Sequence, residues 1–478
     1  MDNKFKRRII MIVFLVGTFF MILNETLLNI ALKELMSVFN VDAPTVQWMA
    51  TGFMLVMGVL TPLSAIVNQW FPTRKLFLGL VVIFSIGTLI AGLALNFPML
   101  LVGRMVQAAG TGLMIPTVMN AMLMLYKESE RGKIMGQFGL VIMFAPALGP
   151  TLSGVIVDYL GWRWLFLIVL PFMLFTFIFA YKYLQNVGEV TKPKVDIASI
   201  VMSTVGIAGI IYSVSSVSSI EGGFTNPAIY ITLIVGAISI VLFVLRQFKL
   251  EEPVLDLRVF KYHNYTKGVI IFVAVIMTMF ASEIVMPMYL QGPMGFSAKV
   301  AGLILLPGAL LNGLLSPFMG AIFDKVGPRK LVVPGLLLLL GVSIFYANIH
   351  PGISVWVFVL VYIILMVSIS AVLMPANTNA LNALPKEMYP HGTAVSNMLQ
   401  PIGGALGIAV FVSIMNGGQT AALEGIKNPT TEDVNQAMTI GLHQSYWFAI
   451  VLLALVVIVG FTVTRANYSK TLESKSEQ

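Results

Sequence analysis

Cysteine is absent from all 478 residues. That excludes disulfides, thiolate metal sites and a cysteine nucleophile. Charge is nearly as scarce. Asp, Glu, Lys and Arg make up 10% of the chain, against roughly 25% in a soluble domain. Histidine occurs at only four places, His263, His350, His391 and His443, scattered through loops on both sides, so no imidazole cluster for metal or acid–base work is expected. Nothing fits the phosphate loop G-x-x-x-x-G-K-[ST], which removes ATP as energy source and leaves no cofactor implied. The basic start Met-Asp-Asn-Lys-Phe-Lys-Arg-Arg is not followed by a small-residue cleavage site, so the first apolar run reads as a retained span.

What the chain has in excess is apolar surface: 58% hydrophobic residues and a mean hydropathy of +0.91. Apolar segments of roughly 20 residues, the length a spanning helix needs, fall at about 9–31, 46–70, 76–95, 98–125, 133–158, 164–182, 197–218, 228–245, 268–290, 298–323, 330–348, 354–383, 393–416 and 442–464. The predicted fold class is therefore an all-α integral membrane protein with fourteen transmembrane helices. Twenty-four of the 29 Lys and Arg fall in the segments sharing a side with the amino terminus, and four in the alternate loops. By the positive-inside rule this puts both termini in the cytoplasm. It also explains the net charge of +8 without any nucleic-acid partner.

The two halves repeat. Glu25 returns as Glu283, Pro116-Thr-Val-Met-Asn120-Ala121 as Pro375-Ala-Asn-Thr-Asn379-Ala380, Arg131-Gly132 as His391-Gly392, and Arg74-Lys75 as Arg329-Lys330, all at offsets of 255–260 residues. These matches predict an amino-terminal six-helix bundle over 1–188, two inserted helices over 189–250, and a carboxy-terminal bundle with a cytoplasmic tail over 251–478. The bundles are related by a pseudo-two-fold axis.

Within this apolar background a few polar groups stand out. Glu25 and Glu283 each lie in the first helix of a half, where an ionisable group at membrane depth costs several kcal/mol and is a functional candidate by default. Helical spacing puts Thr18, Met21, Glu25 and Asn29 on one face. Glu25 lies roughly 24 Å from the inner end of its helix, and Arg104 roughly 9 Å below the outer end of the fourth, at 1.5 Å per residue. Their depths coincide, which predicts a Glu25–Arg104 pair; the bland alternative is a cross-link between two helices. Gln107, Thr111 and Met114 continue the Arg104 stripe. Pro287, four residues after Glu283, removes the helical donor for its carbonyl and predicts a kink. Met279 and Met286 flank that face. Asn24, Asn29, Gln47, Gln107, Asn312 and Asn377 are candidate polar groups of a substrate cavity, or equally inter-helix hydrogen bonds. The 29 methionines suit an adaptable apolar pocket, although membrane composition accounts for most of them.

Several strings, in this order along the chain, resemble the major facilitator superfamily and its fourteen-helix drug:proton antiporter family. They are Leu23-Asn24-Glu25-Thr26-Leu27-Leu28-Asn29, Gly103-Arg104-x-x-Gln107-x-x-Gly110-x-Gly112, Ala147-Leu148-Gly149-Pro150-x-x-Ser153-Gly154, Gly320-x-x-x-Asp324-Lys325-x-Gly327-Pro328-Arg329-Lys330 and Gln400-Pro401-Ile402-Gly403-Gly404-Ala405-Leu406-Gly407. The first helix is similar to lincomycin-resistance-type multidrug exporters of Gram-positive bacteria. The resemblance implies proton coupling through Glu25, Glu283 and Arg104. It implies an antiporter hinge at Pro146, Gly149, Pro150 and Gly154, with ordinary helix packing as the plain alternative. It also implies an inner gate at Arg74, Asp324, Gly327 and Arg329. The first-half loop around Arg74 lacks the acid and the glycine of its second-half counterpart, so the latch is expected to be one-sided.

The function expected is proton-coupled multidrug efflux by alternating access, in the plasma membrane of a bacterium. The expected partners are small amphipathic cationic or neutral compounds, protons and the lipid bilayer, and the working unit is a monomer. The alternatives are export of a lipid or cellular metabolite, and, from other classes, a membrane-embedded transferase or a channel. No catalytic or metal site is expected.

Overall fold

A computed structural model describes residues 3–465, apart from 62, 127, 187–195, 218–219, 221–222, 251–252, 254, 386–387 and 427. The described chain is helical, and fourteen of its helical stretches are long and apolar enough to cross a membrane. Helices are what the solvent demands, because lipid offers no partner for a free backbone N–H or C=O. The chain divides into two compact units, 1–196 with 297–306, and 197–296 with 307–478. The predicted boundary at 188–189 lies outside the described residues.

The first unit holds α1 (Asn3–Leu27), α2 (Leu32–Phe39), α3 (Ala43–Val46), α4 (Trp48–Leu60), α5 (Ser64–Trp70), α6 (Thr73–Gly92), α7 (Phe97–Leu125), α8 (Glu128–Leu160), α9 (Trp164–Leu167) and α10 (Leu170–Tyr183). It also takes in the first turns of α14 (Ala298–Val326). In this unit α6 packs on α7, α4 on α7, and α1 on α8 and α10. Glycine sets the closest of these approaches. A Cβ at Gly87 would strike the backbone of Gln107 and Gly103, and one at Gly103 would strike Ala91. With little hydrophobic driving force between helices in lipid, such small-residue faces let backbones meet and gain dispersion contact. Asn96 starts α7 by accepting from the Met99 N–H at 2.9 Å, which satisfies one of the orphan donors of the first turn.

The segment expected to run unbroken over 9–31 does not. α1 ends at Leu27, and residues 28–31 turn before α2. The Asn29 N–H bonds Thr26 O and the Ala31 N–H bonds Leu28 O, three-residue closures that tighten the chain and end the helix. Asn29 therefore lies beyond α1, and the helical face predicted from Thr18 to Asn29 stops at Glu25.

The second unit holds α11 (Ile197–Ser216), α12 (Pro227–Lys249), α13 (His263–Gln291), the rest of α14, α15 (Pro328–Tyr346), α16 (Val355–Leu381), α17 (Tyr389–Leu423) and α18 (Thr431–Phe461). α11 and α12 cross where Gly206 and Gly209 meet Gly236. α11 also packs on α17, where the Ser413 hydroxyl donates to Val214 O at 2.8 Å. α13 lies against α16, α17 and α18. It continues through Pro287 to Gln291 as one α-helix, so the proline does not break it. Thr430 and Asp433 form a capping box at the start of α18, closing its first turn reciprocally.

Candidate functional site

In the first unit the end of α1 decides what Arg104 does. The last four carbonyls of a helix have no intrahelical donor, and in α1 these belong to residues 24–27. Arg104, 1% exposed on α7, donates to Asn24 O at 3.3 Å and to Glu25 O at 3.4 Å. It thus caps α1, with its positive charge at the negative end of the helix dipole. The fork is filled by the Asn24 side-chain oxygen at 3.2 Å, the Gln107 side-chain oxygen at 3.1 Å and Met49 O at 3.4 Å. The Phe53 ring lies 4.2 Å from the guanidinium carbon, a desolvated cation–π contact.

The partners are themselves fixed. Asn24 donates to Leu165 O at 3.0 Å, and Gln107 donates to the Thr88 hydroxyl at 2.7 Å. Thr88 in turn donates to Phe84 O, and Thr111 to Gln107 O. This arrangement differs from the direct Glu25–Arg104 pair expected from depth. The guanidinium takes Glu25 by its main-chain carbonyl, leaving the half-buried carboxylate beside the charge without a bridge to it. The physical reason is the early helix end, which offers carbonyls and amide oxygens to the fork first. Met21 is fully buried, and Asn24, Gln107 and Thr111 are engaged in helix-to-helix or intrahelical bonds. Asn29 and Gln47 are buried as well.

In the second unit Glu283 sits half-buried on α13. Its neighbour Ser282 shares a 3.1 Å hydrogen bond with Tyr446 on α18. The Tyr446 ring is 5.1 Å from that of Tyr346, which is 5.8 Å from Phe358. The Tyr362 ring on α16 is where a Cβ at Gly308 would collide. One turn on, Met366 receives the Asn312 amide at 3.8 Å. Met286 is buried and Met279 half-buried. Asn377 is half-buried, with a side-chain oxygen that has no hydrogen-bond partner. Among the described residues no group of His, Asp and Glu has metal-ligating geometry.

The Major Facilitator Superfamily profile matches residues 14–408. The chain belongs to the Major Facilitator Superfamily. It is 43% identical over 467 residues to the lincomycin resistance protein LmrB of Bacillus subtilis, covering 98% of each chain. A multidrug resistance protein B homolog of Mycobacterium tuberculosis is 26% identical over 400 residues, covering 81% of this chain and 72% of the relative. In fold it is similar to a crystal structure of a bacterial homolog of the human lysosomal transporter Spinster. That similarity has a TM-score of 0.68 at 14% identity, covering 96% and 97% of the two chains. The protein is thus a multi-pass membrane transporter and not an enzyme.

The superfamily motifs take these places. On α8 a Cβ at Gly149 would run into Thr26, and one at Gly154 into the backbone of Ala298. The Thr151 hydroxyl donates to Gly302 O at 3.1 Å. The predicted hinge face is therefore a tight packing surface within the first unit, with Pro146 and Pro150 inside the continuous α8. Arg74 is held within its own unit. Its N–H donates to Asn186, its guanidinium donates to Tyr181 O, and it lies 5.0 Å from the Tyr181 ring. Gly327 has φ +81° between α14 and α15, a conformation that only glycine adopts cheaply. Arg329 is exposed over the Phe461 ring. The side chain of Asp324 lies outside the described residues.

Sequence reasoning missed Thr88, Phe53 and the tyrosines. Gly87 was the available signal for Thr88, because it announces that α6 comes within backbone distance of Gln107. The repeat offers one for Tyr362, which stands 258 positions after Arg104, as Glu283 does after Glu25.

Proposed function

We propose that the chain is a proton-coupled exporter of amphipathic lipophilic compounds, cationic or neutral, working by alternating access as a monomer in a bacterial plasma membrane with both termini cytoplasmic. The observation that carries the reading is the Arg104 cap on α1 beside the Glu25 carboxylate, which makes no bridge to it, in a transporter similar over its whole length to a lincomycin resistance protein. A buried arginine held by all three of its guanidinium nitrogens is a fixed positive charge. An acid beside it, without a committed bridge, is free to exchange its proton, and a coupled exporter needs a group of that kind.

In this reading Glu25 carries the coupling proton, Arg104 sets its field, and Glu283 with Met279 and Met286 attracts cationic compounds. Met21, Asn24, Asn29, Gln47, Gln107, Thr111, Asn312 and Asn377 contribute to the lining or hold it in place. The hinge at Pro146, Gly149, Pro150 and Gly154 lets the α8 face slide. Arg74, Asp324, Gly327 and Arg329 form the inner gate. Reconstituted vesicles carrying a pH gradient test it directly. The expected result is uphill movement of a lincosamide or lipophilic dye that collapses when the gradient is dissipated. Transport that persists without a proton gradient, or movement of lipids alone, would reject it.

A further inference from the structure

The four residues after α18, Thr462–Arg465, are gripped by side chains from two other helices. Asn264 and Thr464 exchange two hydrogen bonds, the amide donating to the hydroxyl at 2.9 Å and the hydroxyl to the amide oxygen at 3.2 Å. Asn379, at the end of α16, donates to Thr464 O at 3.1 Å. Lys267, one turn along α13 from Asn264, donates to Thr462 O at 3.1 Å. Between these anchors Val463 is 3% exposed, an apolar residue turned inward. The chain also leaves α18 in tight three-residue closures, Thr462 N–H to Val459 O and Val463 N–H to Gly460 O.

The connection between α14 and α15 lies beside this segment and beside Phe461, the last residue of α18. Arg329 lies 6.0 Å from the Phe461 ring centroid. The Arg465 side chain passes 3.9 Å from where a Gly327 Cβ would stand. Four polar bonds and one buried valine at a helix exit are more than chain termination requires. The residues supplying them come from the start of α13, which carries Glu283, and from the repeated Pro375–Ala380 string.

We propose that Asn264, Lys267 and Asn379 hold residues 462–465 as a strap that positions the 324–330 gate loop, linking that loop to α13 and α16. They act as positioning residues and touch no substrate. Loss of an anchor loosens the strap, and the gate loop then opens more often. The inference rests on the export reading only where it calls the loop a gate. The juxtaposition itself does not depend on it.

The chain's lack of cysteine makes the test clean. A single Lys330→Cys reporter on the exposed start of α15 is labelled with a membrane-impermeant thiol reagent in membrane fragments, without substrate. Asn379→Ala and Lys267→Ala should each raise the labelling rate by about fivefold, the shift expected from losing one net hydrogen bond, and lower initial export with unchanged expression. The exchange Asn264→Thr with Thr464→Asn keeps the same pair of groups and should return labelling to the parent rate, whereas Asn264→Ala should not. Labelling rates equal to the parent's in all the Ala variants would overturn the strap. Faster labelling in the Ala variants of a parent chain that itself exports nothing would support the strap while rejecting the export reading.

Discussion

Glu25 and Glu283 occupy equivalent places in the repeat and have opposite surroundings. Glu25 lies two residues from the end of its helix, beside a buried arginine that caps that end. Glu283 lies eight residues from the end of an uninterrupted helix, and the position matching Arg104 is Tyr362. Glu25 therefore has a cation next to it, whereas the position that matches this cation in the second half is a tyrosine. An acid next to a permanent cation can release its proton without leaving a bare charge in a dry interior. In the reading proposed above, Glu283 attracts cationic compounds through its own charge. On the proposed function, the duplicated scaffold uses its first acid for proton exchange and its second to attract cations.

Removing the acid of the first site should have the largest effect. Glu25→Gln is expected to abolish gradient-driven export while expression and thermal stability stay near the parent's, since shape is preserved. Undiminished efflux at the same pH gradient would end the assignment. Arg104→Ala comes next. It strands the side-chain oxygens of Asn24 and Gln107 and the α1 carbonyls, which should cost on the order of 3–5 kcal/mol and be read as lost expression and a lowered melting temperature. Arg104→Lys keeps the charge but not the fork, so it should fall between the two. Adding Glu25→Gln to Arg104→Ala should recover only part of the loss, because the amide oxygens stay orphaned. Full recovery would mean that the two side chains pair directly.

Glu283→Gln should be milder and selective, reducing export of a cationic compound more than of a neutral one at equal gradient. Equal loss of both would move Glu283 into the coupling machinery and remove the contrast between halves. The smallest effect concerns Glu34 on α2, outside the spans. Burial raises its carboxyl above the usual range, the largest cause, and the main-chain N–H of Trp162 opposes that rise. A raised folded value means that its contribution to stability is fully present below the ordinary carboxylate pKa and is lost as pH rises through the folded one. Glu34→Gln should flatten that decline as pH rises above the ordinary carboxylate pKa, by a small amount because the group is partly solvated. An unchanged melting-temperature profile would contradict it.

The spans were legible because each must be a long apolar run, and the charged candidates because a carboxylate or guanidinium within such a run is conspicuous. The partners of Arg104 were not. They are main-chain carbonyls and amides exposed by the end of α1 at Leu27, and that end is set by the turn bonds of residues 26–31 rather than by any change in hydropathy. Asn29 was misplaced for the same reason. Pro287 lies within α13, which runs on to Gln291, as prolines in membrane helices are tolerated when neighbouring helices support the backbone. Tyr346, Tyr362 and Tyr446 were invisible as a group because they come from α15, α16 and α18, and each alone resembles an ordinary core aromatic. Tyr362 could have been found by carrying the repeat offset through Arg104.

The proton itself tests the account most directly. Purified protein in weakly buffered detergent should release protons when a transported cationic compound is added, and Glu25→Gln should release none while still binding the compound. Glu283→Gln should release protons on adding a neutral compound as the parent does. Unchanged release from Glu25→Gln, or release lost only in Glu283→Gln, would place the exchanging proton in the other half of the molecule and contradict the account.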